Sequence, residues 1–374
     1  MTVSLIVKRL LLLGLSLLLP LVLIEGVLRL LQPAPIPKLA PQLKYVRVPR
    51  DPGAGRLAGY WYLEPRQNSF NLSTPVATNS LGLRNAEVGP KTTGRRRIVA
   101  LGDSHTFGYA VPEPETWPRQ LEDVLRADRS SQDAEVINAG FEALAIEQEV
   151  QLLKDRLLPL EPDVVILAYY WNDMPMLVEP FSAWPAGEAV VPPSMRPAAP
   201  PAPAAAASQS GNAPSTGIVE WLRGAAKSSY LLYFVLQRVP FLQMAAFPAL
   251  ETKWKEAALK GQTPPAIEAS WRFVRGQLLE FKDLSLQAGF EPWVLVIPLF
   301  EQMTTDGYGT AGYQAQVVRI CQELGIGVVE PLEAIKRLKP TYPEFFVPFD
   351  GHPNGRIYEV VASETARALK RVRD

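Results

Sequence analysis

Cysteine is nearly absent from this sequence: Cys321 is the only one in 374 residues. A single thiol forms no intramolecular disulfide framework and no Cys-rich metal site. Histidine is almost as scarce, with only His105 and His352. A His-rich metal centre is therefore excluded, no metal or cofactor is implied, and imidazole chemistry must use one of these two rings. Net charge is missing as well, because 38 Lys and Arg balance 38 Asp and Glu. Nucleic-acid binding leaves a basic footprint, so no nucleic-acid partner is expected. Several motifs are also lacking. There is no Gly-x-Ser-x-Gly nucleophile elbow. Gly89 to Arg95 has no Lys after its second glycine, as a phosphate-binding loop requires. No internal repeat is found.

What the chain has is apolar residues and proline. Hydrophobic residues make up 47% and charged residues 20%, which excludes a disordered polar chain. The length suffices for a full core. The 36 prolines are about twice the usual share, and their positions mark linkers.

At the N-terminus, Lys8-Arg9 precedes an uncharged, almost wholly apolar run from Leu10 to Ile24. Extended to Leu31, it makes a helix of about 33 Å, enough for a bilayer core. Glu25 and Arg29 fall four residues apart and can pair on one face. No clear small-residue cleavage site precedes Gln32. Residues 1–32 are therefore expected to form an uncleaved signal anchor, with the body outside the cytoplasm in a bacterial periplasm. Residues 33–94 read as a Pro-rich stalk, to about Pro52, followed by a lead-in that packs on the main domain.

From Arg97 onward, short apolar runs alternate with amphipathic helical segments. The runs are 98–101, 135–137, 163–170, 293–297 and 327–329. Helices are expected at about 116–127, 143–157, 267–287, 313–324 and 356–372. This alternation implies an α/β fold, a three-layer α/β/α sandwich on a parallel, flavodoxin-like five-stranded sheet. Residues 95–374 form this domain. A Pro/Ala-rich insertion at about 185–217 cannot build a core. Residues 218–239 read as a cap or side helix.

In open parallel sheets, ligands bind beyond the carboxyl ends of the strands. The first three strands end at Ser104, Gly140 and Asn172, and His352 lies in a loop just before the last helix. The blocks Gly102-Asp103-Ser104, Asn138-Ala139-Gly140, Trp171-Asn172-Asp173 and Asp350-Gly351-His352-Pro353 together resemble the SGNH/GDSL hydrolase family. Asn79-Ser80-Leu81-Gly82-Leu83-Arg84 and the N-terminal anchor resemble its membrane-tethered bacterial members. Two positions depart from the family pattern. Tyr170 stands where a glycine is usual, and Asp350 is two residues before His352 where many members place the acid three before.

The resemblance implies roles. Ser104 is the nucleophile, His352 its base and Asp350 the acid that orients it. The Gly140 amide and the Asn172 side chain complete an oxyanion hole with the Ser104 amide. Asp103 is expected to support the nucleophile turn, His105 to line the pocket and Asp173 to orient Asn172. Cys321 reads as a small core residue. The expected activity is that of a serine esterase or O-acyltransferase on an acylated glycan. Two alternatives stay open: a lipid or short-acyl esterase, and a non-catalytic glycan-binding or assembly protein on the same scaffold.

Overall fold

The computed structural model describes residues 3–31, 43–49, 59–72, 74–128, 133–173, 229–236, 259–262, 265–304, 312–342, 344–347 and 351–371. The insertion at 185–217 lies outside them.

Five strands form one parallel sheet: β5 (Arg96–Gly102), β6 (Ala134–Gly140), β7 (Val164–Tyr169), β8 (Glu291–Val296) and β9 (Gly327–Val329), in the order β6-β5-β7-β8-β9. Every pairing among them is parallel. The order reverses between β5 and its neighbours β6 and β7, as in flavodoxin-like sheets. Every residue of β7 is buried, because helices cover both faces of the sheet. Side chains alternate between two cores. Val99, Leu101, Val165 and Leu167 face one core. Ile98, Ala100, Ile166 and Ala168 face the other.

The first core is closed by α4 (Ile146–Leu152), α6 (Pro265–Ala288) and α8 (Tyr313–Leu324). The second is closed by α3 (Trp117–Ala127), α9 (Leu332–Lys336) and α10 (Gly355–Arg371). Each fully buried Val, Leu or Ile contributes about 1.5–3 kcal/mol. The remaining described helices are α1 (Val3–Leu31), α2 (Ser104–Phe107), α5 (Tyr230–Leu236) and α7 (Phe300–Thr304).

One expectation is corrected. The stalk does not run uninterrupted to Pro52, because Tyr45–Val48 forms β1 and pairs antiparallel with β2 (Tyr60–Leu63). Leu43 and Tyr45 are buried in the first core; their apolar bodies outweigh the surrounding prolines. A second hairpin, β3 (Asn68–Asn71) with β4 (Thr74–Ala77), follows. β6 ends at Gly140 as expected, with Gly102 and Gly140 paired in register.

In α1, Leu12–Leu31 is a 20-residue span of mean hydropathy 2.0 with none of it buried. It is long and apolar enough to cross a membrane. Its Glu25 pairs with Arg29 at 2.7 Å and accepts hydrogen bonds from Ser229 Oγ and from the Tyr230 and Leu231 amides. Of the cap or side helix expected at 218–239, Tyr230–Leu236 is seen as α5, packed beside α1, and 218–228 and 237–239 lie outside the described residues.

Candidate active site

Ser104 opens α2 at the carboxyl end of β5, the central strand of the switch point. The turn is tight for two reasons. A Cβ on Gly102 would lie 2.3 Å from Thr106 Oγ1, and one on Gly140 would lie 2.1 Å from the Phe107 amide nitrogen. These glycines therefore let the Ser104 turn lie flat on the strand ends. Gly108, at φ +82°, ends α2 in the left-handed region, where glycine costs least.

Asp103 caps α2. Its carboxylate accepts from the His105 amide at 2.9 Å, from His105 Nδ1 at 3.2 Å and from Asn172 Nδ2 at 3.0 Å. Burial alone would raise its pKa. The His105 ring and these hydrogen bonds outweigh burial, so Asp103 is held below the usual carboxylate range.

His352 reaches Ser104 from the loop before α10. Its Nε2 is 2.8 Å from Ser104 Oγ. The loop is pinned by the Val347 amide donating to the His352 carbonyl at 2.8 Å and by a bridge between Phe346 and Pro353. Aromatic rings flank the imidazole, with His105 at 4.6 Å and Tyr109 at 4.7 Å between centroids. Tyr170 packs on His105 from the other side at 4.0 Å. Ser104, Asn172 and His352 are each partly exposed, while Asp103 and His105 beneath them are buried. A substrate can thus reach the three polar groups.

The sequence-derived residues fare differently. Ser104, His352, Asn172, Asp103 and His105 meet at one place. Gly140 lies beside them, but its amide donates to Asn138 Oδ1 at 3.0 Å. Asp173 does not orient the Asn172 side chain. Asp103 does, while Asp173 Oδ2 accepts from the Tyr170 amide at 2.8 Å. His105 points Nδ1 at Asp103 and buries its ring between Tyr170 and His352 instead of facing solvent. Asp350 lies outside the described residues.

Three features were not assigned a role from sequence. Arg84, in the Asn79–Arg84 string, is buried and donates to the carbonyls of Phe107, Gly108 and Val111 at 3.0, 2.8 and 2.6 Å. It therefore ties the lead-in to the end of α2, and burial pulls its pKa down to about 10. Glu142, just after β6, accepts from Tyr45 and Asn71, and its carbonyl accepts from Trp61. These contacts hold a turn in which Ala143 sits at φ +59°, a strained conformation for a residue with a Cβ. Tyr109 completes the set. The one sequence signal among them was for Tyr109, an aromatic five residues after Ser104.

A cavity of about 840 Å³ lies elsewhere, between the β3–β4 hairpin and α3, lined by Phe70, Arg84, Glu113 and Arg119 among others. Among the described residues, no group of three or more His, Cys, Asp or Glu side chains is arranged to hold a metal ion.

A hydroxyl on a helix N-terminus, hydrogen-bonded to an imidazole at the carboxyl edge of a parallel sheet, is the architecture of a serine hydrolase. No protein-family model and no curated protein matches the chain. Among solved structures, it is similar to a protein described as lipolytic, of the G-D-S-L family, from Desulfitobacterium hafniense, at 13% identity and TM-score 0.39, covering 74% of this chain and 100% of that one. It is also similar to an acetyl xylan esterase, at 10% identity and TM-score 0.40, covering 73% and 99%. A two-domain esterase active on acetylated mannans is similar at 14% identity and TM-score 0.40, covering 74% and 50%.

Proposed function

We propose that this chain is a serine ester hydrolase or O-acyltransferase of SGNH/GDSL type. The observation that carries the reading is the 2.8 Å contact between Ser104 Oγ and His352 Nε2. His352 Nε2 takes the hydroxyl proton as Oγ attacks the acyl carbon. The Ser104 amide and the second Nδ2 proton of Asn172 stabilise the tetrahedral oxyanion, a contribution of about 2.7–4 kcal/mol per donor. The Gly140 amide joins them only by leaving Asn138. His352 then protonates the departing alcohol, and the acyl group stays on Ser104. Water or a second hydroxyl releases it, which separates a hydrolase from a transferase. Asp350 is the acid that orients His352.

The substrate class we favour is an acylated glycan outside the cytoplasm, with α1 as the membrane tether. The length and apolarity of Leu12–Leu31 support the tether. The likeness to glycan esterases is one of fold, so a substrate panel must decide the glycan assignment. Labelling by a fluorophosphonate and turnover of p-nitrophenyl acetate are expected from the full chain in detergent. Ser104→Ala and His352→Ala should each lose both, by about 10³-fold or more in turnover. An unlabelled, folded wild type would overturn the reading. Release of acetate from acetylated oligosaccharides but not from lipid esters supports the glycan class, and the reverse result overturns it.

A further inference from the structure

Beneath the site lies an acid that the mechanism above does not use. Glu149 is on α4, with 0% exposure and no hydrogen-bond partner for either carboxyl oxygen. Asp173, 1% exposed, ends the Trp171–Asp173 turn. Its Oδ2 accepts from the Tyr170 amide, and the Ile146 amide, which opens α4 one turn before Glu149, also bears on this carboxylate. Asn172 Oδ1 and the Tyr169 hydroxyl are likewise buried without partners. Around these acceptors the donors are the Tyr169 hydroxyl and the Tyr170 and Ile146 amides, and both of those amides serve Asp173.

The charges around Glu149 make its state plain. Those that act on it belong to Asp173 on the β7 turn and Asp103 on the β5 turn, both acids, and Glu149 in turn bears on the Tyr169 hydroxyl. No cation is among them. An isolated buried carboxylate is far costlier than a neutral carboxyl, and two adjacent carboxylates do not both ionise. Burial first, then these two neighbours, push Glu149 well above the usual range, and burial does the same to Asp173.

We propose that Glu149 is protonated in the working protein and shares its proton with Asp173, and that this acid pair is a positioning element for the Asn172 amide. Asn172 lies between two anchors. Its Nδ2 is tied to Asp103, and its backbone belongs to the turn that Asp173 closes through the Tyr170 amide. A proton between Glu149 and Asp173 fixes that turn from below. A second negative charge there would repel Asp173 and Asp103 and loosen it. The catalytic half of this inference rests on the esterase reading; the shared proton does not.

The test uses the full chain in detergent with Glu149→Gln, Glu149→Ala, Asp173→Asn and a Ser104→Ala control. Infrared difference spectra at neutral pH are expected to show the carbonyl stretch of a protonated carboxyl in wild type and in Ser104→Ala. The band should vanish in Glu149→Gln and shift in Asp173→Asn. Glu149→Ala should lower kcat about tenfold, a fraction of what a lost oxyanion donor costs, with KM within about twofold. Glu149→Gln, which donates without titrating, should recover most of that loss and flatten any alkaline decline in kcat. Absence of the band, or a band unchanged by Glu149→Gln, overturns the shared proton. A folded Glu149→Ala with wild-type kcat overturns the positioning role. Should Ser104→Ala keep full activity, the esterase reading fails while the infrared result still decides the proton.

Discussion

Asp103 and Glu149 are both carboxyls with at most 1% exposure, and both lie within one electrostatic neighbourhood. Their surroundings differ in one respect. Asp103 accepts from His105 through both amide and ring and from Asn172. Glu149 accepts from nothing. Burial opposes ionisation in both, yet their pKa values move in opposite directions. Burial alone therefore does not set the charge of an interior acid; the donors aimed at it do. The ionised acid holds the Ser104 turn, and the proposal gives the neutral one the turn opposite. The sheet edge thereby holds three acids, Asp103, Asp173 and Glu149, without three full charges.

The largest test of this contrast is to remove the donor-rich acid. Asp103→Ala deletes the cap of α2 and frees Asn172 from its anchor. Turnover of an acetyl ester should fall about 10²-fold, near the cost of a lost oxyanion donor, with a stability loss of about 1–2 kcal/mol from the missing cap. Kinetics and thermal melts on the same preparation check both. If the stability falls while kcat holds within about threefold, Asp103 serves folding only.

Much of this arrangement was legible in the sequence, and what was missed has a physical pattern. The strands could be read because both faces of the sheet are covered, which makes the run from Val164 to Tyr169 apolar and wholly buried. Ser104, Gly140 and Asn172 followed as strand ends, and His352 as the only other imidazole free of the serine's own turn. The partner of Asn172 could not be read the same way. Asp173 is its neighbour in sequence, but Asp103, 69 residues away, is its neighbour in space. The amide of Gly140 is taken by Asn138 where β6 runs three residues past its apolar run, held there by pairing with β5. Arg84 shows the same limit: an arginine in a turn string carries no sign that it will cap a helix some twenty residues later. Local pattern specifies elements and their ends, while long-range hydrogen bonds choose among the side chains gathered there.

A smaller effect, with opposite signs at the two acids, sharpens the contrast. The pKa of Asp103 is depressed in the folded state. Its contribution to stability is present above the unfolded value and lost as pH falls through the folded one. The pKa of Glu149 is raised, so the folded chain binds a proton that the unfolded chain releases, and stability falls as pH rises above the ordinary value of 4.5. Glu149→Gln should therefore raise Tm at neutral pH and leave it nearly unchanged near the unfolded pKa. Asp103→Asn should lower Tm at neutral pH, with a difference that shrinks in acid. Parallel pH dependence in the two variants would break the comparison.

The smallest expected effect concerns a buried group of another chemistry. Cys321 on α8 is fully enclosed, and burial alone pushes its thiol up to about 12. Like Glu149, it is a titratable group without an ionising partner, and it stays neutral. Only the thiolate reacts readily with alkylating reagents. Iodoacetamide at neutral pH should leave the folded chain unmodified while labelling it fully in denaturant, as read by intact mass. Cys321→Ala should leave kcat within about twofold, because the thiol sits among Val317, Ile320 and other apolar side chains of the first core. Rapid labelling of the folded chain would mean that α8 opens to solvent, and with it the same core that encloses α4. The neutrality of Glu149 and the silence of Cys321 thus depend on one shared property, the exclusion of water from that layer.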